Sequence, residues 1–279
     1  MDWAFMVWLF AVSVVASAFG GMLGMASGIF IVPILTMFGR IEIHTAIGAS
    51  IVSVIACSCG GAAPFLTNGM TNVRLAIVLE TATTMGALTG VLLVGIVPSS
   101  YLYSLFIVIL FLSARQMLAR RSDPLFAASV PAVTKNRIDS SYPDQELGRE
   151  VLYRVHRLPL GMMLMYGAGL ISALLGIGSG VLKIPAMDGA MRLPIKVSSA
   201  TSNFMIGVTA AASAGAYFMR GNIITTVAGP VALGSVLGAM LGARMLLIVS
   251  SDRLRVLFVI VLVALGIQML LTVFGVHPL

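Results

Sequence analysis

The sequence predicts an all-α polytopic membrane protein that consists of two homologous repeats. Of its 279 residues, 59% are hydrophobic and only 10% are charged, whereas about a quarter of the residues in a typical soluble domain are charged. Several apolar runs are longer than the about 20 residues that a helix needs to cross a bilayer core. The two halves of the chain also resemble each other. Together these observations favour a duplicated bundle of membrane helices.

The duplication is visible when the sequence is aligned with itself. A shift of 152 residues aligns residues 20–118 with 172–270 without a gap, and 24 of the 99 pairs are identical, against roughly one in twelve expected by composition. The identical pairs include Gly24 with Gly176, Ser27 with Ser179, Gly28 with Gly180, Pro33 with Pro185 and Arg40 with Arg192. We therefore assign residues 1–118 to a first membrane repeat, 119–157 to a cytoplasmic linker and 158–279 to a second membrane repeat.

Each repeat contains four apolar segments. They are Trp3–Phe38, His44–Leu66, Val73–Val97 and Ser99–Leu118, then Leu158–Ala190, Val197–Met219, Ile223–Val249 and Leu254–Phe274. At about 1.5 Å per residue, the first segment of each repeat would be about 50 Å long, whereas the bilayer core is about 30 Å thick. It must therefore break or fold back, which gives eight to ten membrane helices in total.

The distribution of basic residues indicates how the repeats are oriented. If the first segment of each repeat crosses twice and the linker is cytoplasmic, only Arg40 and Arg220 lie outside, as the positive-inside rule favours. Five crossings per repeat would make the repeats inverted relative to each other. A hairpin that enters only half of the membrane is the alternative. The first segment starts at Trp3 without a basic region before it, so we expect a retained span rather than a signal peptide.

The linker is the only long polar stretch of the chain. It contains seven basic and five acidic residues together with Pro124, Pro131 and Pro143, which predicts an extramembrane linker, and we expect a short helix at residues 145–154. The net charge of +7 comes mostly from basic residues between apolar segments. We attribute it to orientation in the membrane, and we expect the lipid bilayer, not nucleic acid, as the partner of this chain.

The strongest local motifs are the glycine-rich sequences 24–28 and 176–180, each followed five residues later by a proline. Glycine allows a helix to unwind and proline limits its continuation. A helix end inside a membrane offers N–H groups and a partial positive charge to an anion. The motifs provide the first candidate substrate-binding residues, namely Gly24, Ser27, Gly28, Gly176, Gly178, Ser179 and Gly180. Close helix packing through small residues is the alternative explanation.

Further polar residues lie inside the apolar segments. Ser50 in the first repeat, and Thr201, Ser202 and Asn203 in the second, offer hydroxyl and amide groups to an anion, although they could equally cap or bridge helices. Lys183 is a candidate for neutralising an anion, and Glu80 is a candidate for proton coupling, pairing with Arg74 or Lys183. Charges in such segments are costly, which makes them functional candidates.

The ordered set of motifs resembles the sulfite exporter TauE/SafE family, also called the toluene-sulfonate uptake permease family. The resemblance rests on Leu175–Gly180 with Pro185, Ser199–Asn203, Gly221–Ile223, Gly234–Gly242, and Arg255–Phe258 leading to Gln268–Leu270. It implies a carrier of sulfite, sulfonates or related sulfur-containing anions and organic acids in the bacterial inner membrane. Ala26 replaces the middle glycine of the first motif, and Ser27 and Ser179 occupy positions where glycine is usual, which leaves the substrate open.

We therefore predict a secondary transporter of a small anionic solute, with no catalytic residues, no metal and no cofactor. An anion channel, or a carrier of another organic acid, is the alternative. The chain has no P-loop motif, which argues against ATP hydrolysis. A redox enzyme using Cys57 and Cys59 is a third possibility, but we expect both cysteines to be small core residues. A homodimer is a further candidate assembly.

Overall fold

The computed structural model describes residues 3–23, 25–94, 96–119, 138–144 and 149–246, with the short pieces 259–260, 263–264, 266–267 and 270–271. The helices of the first half are α1 (Trp3–Leu23), α2 (Gly28–Met37), α3 (Ile43–Thr67), α4 (Val73–Leu93) and α5 (Ser99–Ala119). Those of the second half are α6 (Leu158–Leu175), α7 (Gly180–Pro185) with a π-helix (Ala186–Ala190), α8 (Ile195–Met219) and α9 (Thr225–Leu246). The described chain is therefore mostly helical.

Five of the described helices are long and apolar enough to cross a membrane. The spans are Trp3–Met22, Ile43–Thr67, Val73–Leu93, Leu158–Leu175 and Thr225–Met245. Large apolar side chains cover the outer face of α4, where Met85 is 63% and Leu92 71% exposed, while Glu80 and Thr83 on the opposite face are buried. An apolar outer surface with polar groups inside suits lipid as the solvent. The chain is a multi-pass membrane protein.

The predicted breaks in the first segment of each half are present. Four residues separate the end of α1 at Leu23 from the start of α2 at Gly28, and four separate the end of α6 at Leu175 from the start of α7 at Gly180. The ten residues of α2 span about 15 Å, only half of a bilayer core. A second complete crossing by a full-length helix is therefore absent from both described segments. At Gly20 a side chain would collide with the backbone of Ala26, because the chain folds back against the last turn of α1.

Local geometry recurs at the same 152-residue shift as the sequence identity. Left-handed backbone conformations occur at Ala26 and Gly178, at Arg40 and Arg192, and at Gly69 and Gly221. Close helix contacts recur as well. Gly86 of α4 lies against the carbonyl of Tyr166 of α6, and at the equivalent positions Gly238 of α9 lies against the carbonyl of Val14 of α1. A side chain at either glycine would push its helix pair apart.

The directions of the central helices follow from their contacts. Ser58 of α3 donates a hydrogen bond to the carbonyl of Asn203 and accepts one from the N–H of Gly207, while the later residue Gly61 lies beside the earlier Asn203. Helices α3 and α8 therefore run antiparallel. On α4 and α8, by contrast, Asn72 contacts Thr201 and Glu80 contacts Thr209, so these two helices run parallel.

The linker contains a β-hairpin where we predicted a short helix, so that prediction was wrong. Strand β1 (Ser140–Asp144) pairs antiparallel with β2 (Arg149–Tyr153). Val151 and Tyr153 alternate along β2 and are buried with Tyr142 against α4, α6, α8 and the π-helix. This two-residue period favours a strand that is covered on one face. Asn72 at the start of α4 donates hydrogen bonds to the Ile138 carbonyl and the Tyr153 hydroxyl.

Candidate functional site

The two helix breaks meet in the interior of the protein. A Cβ atom at Gly178 would lie 2.8 Å from the Cβ of Ala26, its equivalent in the first half. Val54 and Ile206, a second equivalent pair, also border this point from the middle of α3 and α8. All of these side chains are buried. The breaks are therefore closed to water in this conformation and lie near the mid-height of the bundle.

Close backbone approach explains the glycines of both motifs. A side chain at Gly28 would collide with the backbone of Gly176 and Ile177, and one at Gly176 would collide with Ile47 of α3. Gly178 also requires glycine because its φ is +74°. Gly180 begins α7 and is buried, while Gly24 lies outside the described residues. The glycines thus bring the two backbones into contact, as both the binding and the packing interpretations require.

The hydroxyl of Ser27 already belongs to a chain of hydrogen bonds. Its Oγ lies 2.7 Å from Ser53 Oγ of α3, which lies 2.5 Å from Ser235 Oγ of α9. Ser235 in turn lies 2.7 Å from the Val231 carbonyl, to which its hydroxyl donates. The direction of the chain is therefore from Ser27 towards α9, and each hydroxyl proton has an acceptor.

Ser179, the equivalent of Ser27 in the second half, is in a different situation. Its side chain is 1% exposed, and its Oγ has no hydrogen-bond partner among the described residues. It does not cap α7 either. A buried hydroxyl without a partner is uncommon and costs free energy. Ser17 and Ser198 share this feature, but Ser179 is the one of the three that we predicted as a site residue.

The other predicted hydroxyl and amide groups connect helices. Ser50 donates to the carbonyl of Gly176 over 2.7 Å, and Thr201 accepts from the N–H of Asn72 over 3.2 Å. The Asn203 amide donates to the carbonyl of Gly21 over 3.2 Å. Ser202, which lies between Thr201 and Asn203 in the sequence of α8, is also buried. This bridging corresponds to the structural alternative that the sequence left open. It places Ser50 and Asn203 beside the breaks, whereas Thr201 contacts the start of α4.

The two charged candidates form a buried ion pair. Lys183 Nζ lies 2.9 Å from Glu80 Oε2 and donates to Thr209 Oγ1 over 2.7 Å. The Thr209 hydroxyl lies 2.5 Å from Glu80 Oε1 and 3.3 Å from the Met205 carbonyl. Lys183 is fully buried and Glu80 is 8% exposed. We call Lys183, Glu80 and Thr209 the charged triad. Of the two partners suggested for Glu80, the structure selects Lys183.

The charged triad exists on one side of the bundle only. The 152-residue shift places Ile31 opposite Lys183, Ala232 opposite Glu80 and Cys57 opposite Thr209. Ile31 and Cys57 are buried, and Ala232 is partly exposed. The two breaks therefore have similar backbones but different polar surroundings, and the buried ion pair lies near the Ser179 break.

Three residues of the site were not predicted. Thr209, Ser53 and Ser235 are buried and make polar contacts between helices, but each is a single hydroxyl residue in an apolar stretch, with no motif around it. The internal alignment could have drawn attention to Thr209, since it pairs that residue with Cys57. Of the two cysteines, Cys57 is buried as expected, while Cys59 is exposed on the protein surface, contrary to our expectation.

A solvent-open cleft lies away from this site. It is bordered by the hairpin and the start of α4, and its lining includes Asn72, Arg74 and Asp139. None of the predicted site residues lines it. The cleft and the buried breaks are therefore separate features.

Comparisons with known proteins identify the family. The family model for "Sulfite exporter TauE/SafE" matches residues 9–269. The chain is 23% identical to the probable membrane transporter protein YunE of Bacillus subtilis (strain 168) over 272 residues, which cover 94% of this chain and 96% of YunE. It is 26% identical to the probable membrane transporter protein YdhB of the same organism over 224 residues, with coverages of 80% and 83%. No solved structure matches. The chain belongs to the sulfite exporter TauE/SafE family and is a membrane transporter.

Proposed function

We propose that this chain is a secondary transporter that moves a small sulfur-containing anion, such as sulfite or an organosulfonate, across the cytoplasmic membrane by alternating access. The observation that carries the proposal is the buried, unpartnered hydroxyl of Ser179 at the point where the two helix breaks meet. Lys183 follows one helical turn later and supplies a positive charge. The family name supports the choice of a sulfur oxyanion as the substrate.

The proposed binding groups are mostly uncharged. The N–H groups of Gly28 and Gly180, the first residues of α2 and α7, have no partner within their own helices and lie at the breaks. With Gly176 and Gly178 they form a backbone surface that an oxyanion can approach closely. Ser179 adds a hydroxyl donor, while Ser27, Ser50, Thr201, Ser202 and Asn203 fix the surrounding helices and contribute polar groups when the halves separate.

Inverted repeats support alternating access. Helices α3 and α8 occupy equivalent places in the two halves and run antiparallel. The contacts of α4 with α6 are repeated by those of α9 with α1 at the 152-residue shift. Both observations favour a two-fold axis in the membrane plane, between Ala26 and Gly178. Movement of one half against the other around this point would expose the site first to one side and then to the other.

Glu80 is the proposed coupling residue. It is the anionic partner of Lys183 in the closed conformation, so a substrate anion that approaches Lys183 competes with it. Protonation of Glu80 would release Lys183 for the substrate. Proton transfer at Glu80 would thereby couple anion movement to the proton gradient.

The test is uptake of labelled sulfite and methanesulfonate into liposomes containing the purified protein. We expect saturable uptake that is accelerated by unlabelled anion on the opposite side. Ser179→Ala should lower uptake about tenfold, since a hydrogen bond to a charged group contributes about 1.5–3 kcal/mol. Ser13→Ala is the matched control, because the buried Ser13 hydroxyl only donates within α1, to the Leu9 carbonyl.

The outcome separates the proposed carrier from its alternatives. Flux that does not saturate and ignores a gradient on the opposite side would indicate an anion channel. Uptake of carboxylates in preference to both sulfur anions would indicate a carrier of other organic acids. Equal uptake by the Ser179→Ala and Ser13→Ala variants would show that the binding site does not lie at the helix breaks.

A further inference from the structure

We infer that the charged triad restricts the transporter to singly charged anions and takes up one proton with each of them. This inference rests on the proposed function and adds the charge of the substrate to it. The observation behind it is that one lysine and one carboxylate neutralise each other inside the protein, with a single hydroxyl bonded to both.

The number of charges near the site is small. Lys183 is fully buried, and Glu80 is the acidic group that contacts it among the described residues. The neighbouring helix α6 contains no Asp, Glu, Lys, Arg or His, and α8 contains only Lys196, at its first turn. On α4 the other charge is Arg74, six residues before Glu80. The π-helix carries Asp188, five residues beyond Lys183. The buried charges thus sum to zero.

Because the buried charges of Lys183 and Glu80 cancel, the charge of an anion that can bind beside them is limited. Unbalanced charge in a low-dielectric interior is strongly unfavourable. If Glu80 stays ionised, a bound monoanion leaves one negative charge in excess. If Glu80 takes up a proton, Lys183 and the monoanion neutralise each other, and the sum returns to zero. A dianion would leave an excess negative charge even with Glu80 protonated.

The same charge balance requires that one proton is taken up and released with each anion. Glu80 takes it from the aqueous side on which the anion enters, and the Glu80–Lys183 pair breaks. When the anion leaves on the other side, Lys183 returns to Glu80, and the carboxyl releases its proton there. One proton and one negative charge move together, so the cycle transfers no net charge.

Thr209 is the positioning residue that permits both states of Glu80. Its hydroxyl donates to Glu80 Oε1 when the carboxylate is ionised, and it has a second acceptor, the Met205 carbonyl, at 3.3 Å. Once Glu80 is protonated, Thr209 can turn its proton to Met205 and accept from the carboxyl. No polar group is then left without a partner in either state. Valine would remove this exchange, whereas serine would retain it.

The test of the inference uses the unmodified protein in liposomes, with methanesulfonate as the monoanion and sulfate as the dianion. We expect an inward proton gradient to drive methanesulfonate uptake, and an imposed membrane potential to leave its rate unchanged. Sulfate should compete at least about 100-fold more weakly than unlabelled methanesulfonate, because its second charge finds no partner. Uptake driven by a positive interior potential, or equal competition by sulfate, would overturn the inference and leave the transporter itself intact.

Variants of Thr209 test its positioning role. Thr209→Val should lower uptake about tenfold and flatten its dependence on pH, whereas Thr209→Ser should stay within about twofold of the unmodified protein. Thr89→Val is the control, since Thr89 bonds only to the Gly86 carbonyl within α4. If the pH dependence of uptake were unchanged in Thr209→Val, Thr209 would have no positioning role. If the unmodified protein carried no anion at all, the proposed function would fail first.

Discussion

Lys183 and Glu80 illustrate how a membrane interior treats a matched pair of charges. Each is costly alone, and each has the other within hydrogen-bond distance. Removing one partner of a buried pair leaves a charge without compensation, whereas replacing both by apolar residues is often tolerated. The chain supplies its own template for such a replacement, since Ile31 and Ala232 occupy the equivalent positions of the other side.

The single and double replacements should therefore differ in stability. Lys183→Ile should destabilise the protein by about 3–5 kcal/mol, and the double variant Lys183→Ile with Glu80→Ala should recover most of that loss. Thermal unfolding in detergent measures the difference. We expect the double variant to fold and to lose proton-driven uptake. A double variant less stable than the single one would show that the pair itself stabilises the fold.

Some residues of the candidate site could be predicted from the sequence, and others could not. Lys183 and Glu80 could be predicted because a charge in an apolar segment has few explanations. The difference between Ser27 and Ser179 could not, since both occur in the same motif, and only the fold shows that Ser53 bonds to the first. Thr209 was missed for a similar reason, because its importance depends on two groups that lie far away in the sequence.

Among the helical elements, the parallel pair α4–α6 packs through glycine. Gly169 of α6 lies against the backbone of Thr83, and a side chain there would collide with its carbonyl, whereas Gly167 two residues earlier has open space. Gly167 and Gly169 therefore offer a matched comparison within one helix. It also shows that glycines with similar sequence surroundings have different roles.

Alanine should be tolerated at one of these glycines only. Gly169→Ala should destabilise the protein by about 1–3 kcal/mol, because the two helices must separate. Gly167→Ala should change the stability by less than about 1 kcal/mol and in the stabilising direction, through helix propensity. Thermal unfolding of both variants in one detergent provides the measurement. Equal melting temperatures would mean that the α4–α6 contact is looser than described.

The β-hairpin is held against α4 by the phenol of Tyr153. Tyr153→Phe removes the hydrogen bond from Asn72 and should cost about 1 kcal/mol, seen as faster proteolysis of the linker. Burial raises the pKa of Tyr153, so the neutral phenol is favoured in the folded state. The resulting stabilisation is present below the ordinary tyrosine pKa and is lost as pH rises through the folded-state pKa. The phenylalanine variant should lack this alkaline loss.

The helix breaks and the hairpin show which elements a sequence reveals. Glycine and proline at recurrent positions predicted the breaks, since these residues act locally on the backbone. The hairpin was missed because the alternation of Val151 and Tyr153 covers only a few residues. Its stability comes from burial against helices distant in the sequence.

For the whole molecule, inverted repeats make a prediction about sidedness. Arg40 and Arg192 are at equivalent positions and share a left-handed backbone, yet the inverted arrangement that we propose would place Arg40 outside and Arg192 inside. A single cysteine introduced at Arg40 in a Cys57→Ala, Cys59→Ala background should react with a membrane-impermeant maleimide in intact cells. A cysteine at Arg192 should react only after the membrane is opened. Labelling of both sites from the outside would rule out inverted repeats.

The overall architecture was more predictable than its details. Apolar segments, the internal alignment and basic residues predicted a duplicated membrane protein, because the bilayer imposes strong constraints on length and charge. How far each returning helix extends could not be predicted, since it depends on packing of α2 against α3. The short α2 therefore replaces the second complete crossing.

The ion pair has a consequence for the ancestry of the chain. Glu80 lies in the first half and Lys183 in the second, so neither half on its own contains both charges. Two copies of the first half would bury two carboxylates, and two copies of the second would bury two ammonium groups. Like charges at this depth repel each other and have no compensation. An assembly of two identical present-day halves should therefore be less stable than the fused chain, in which each charge has its partner.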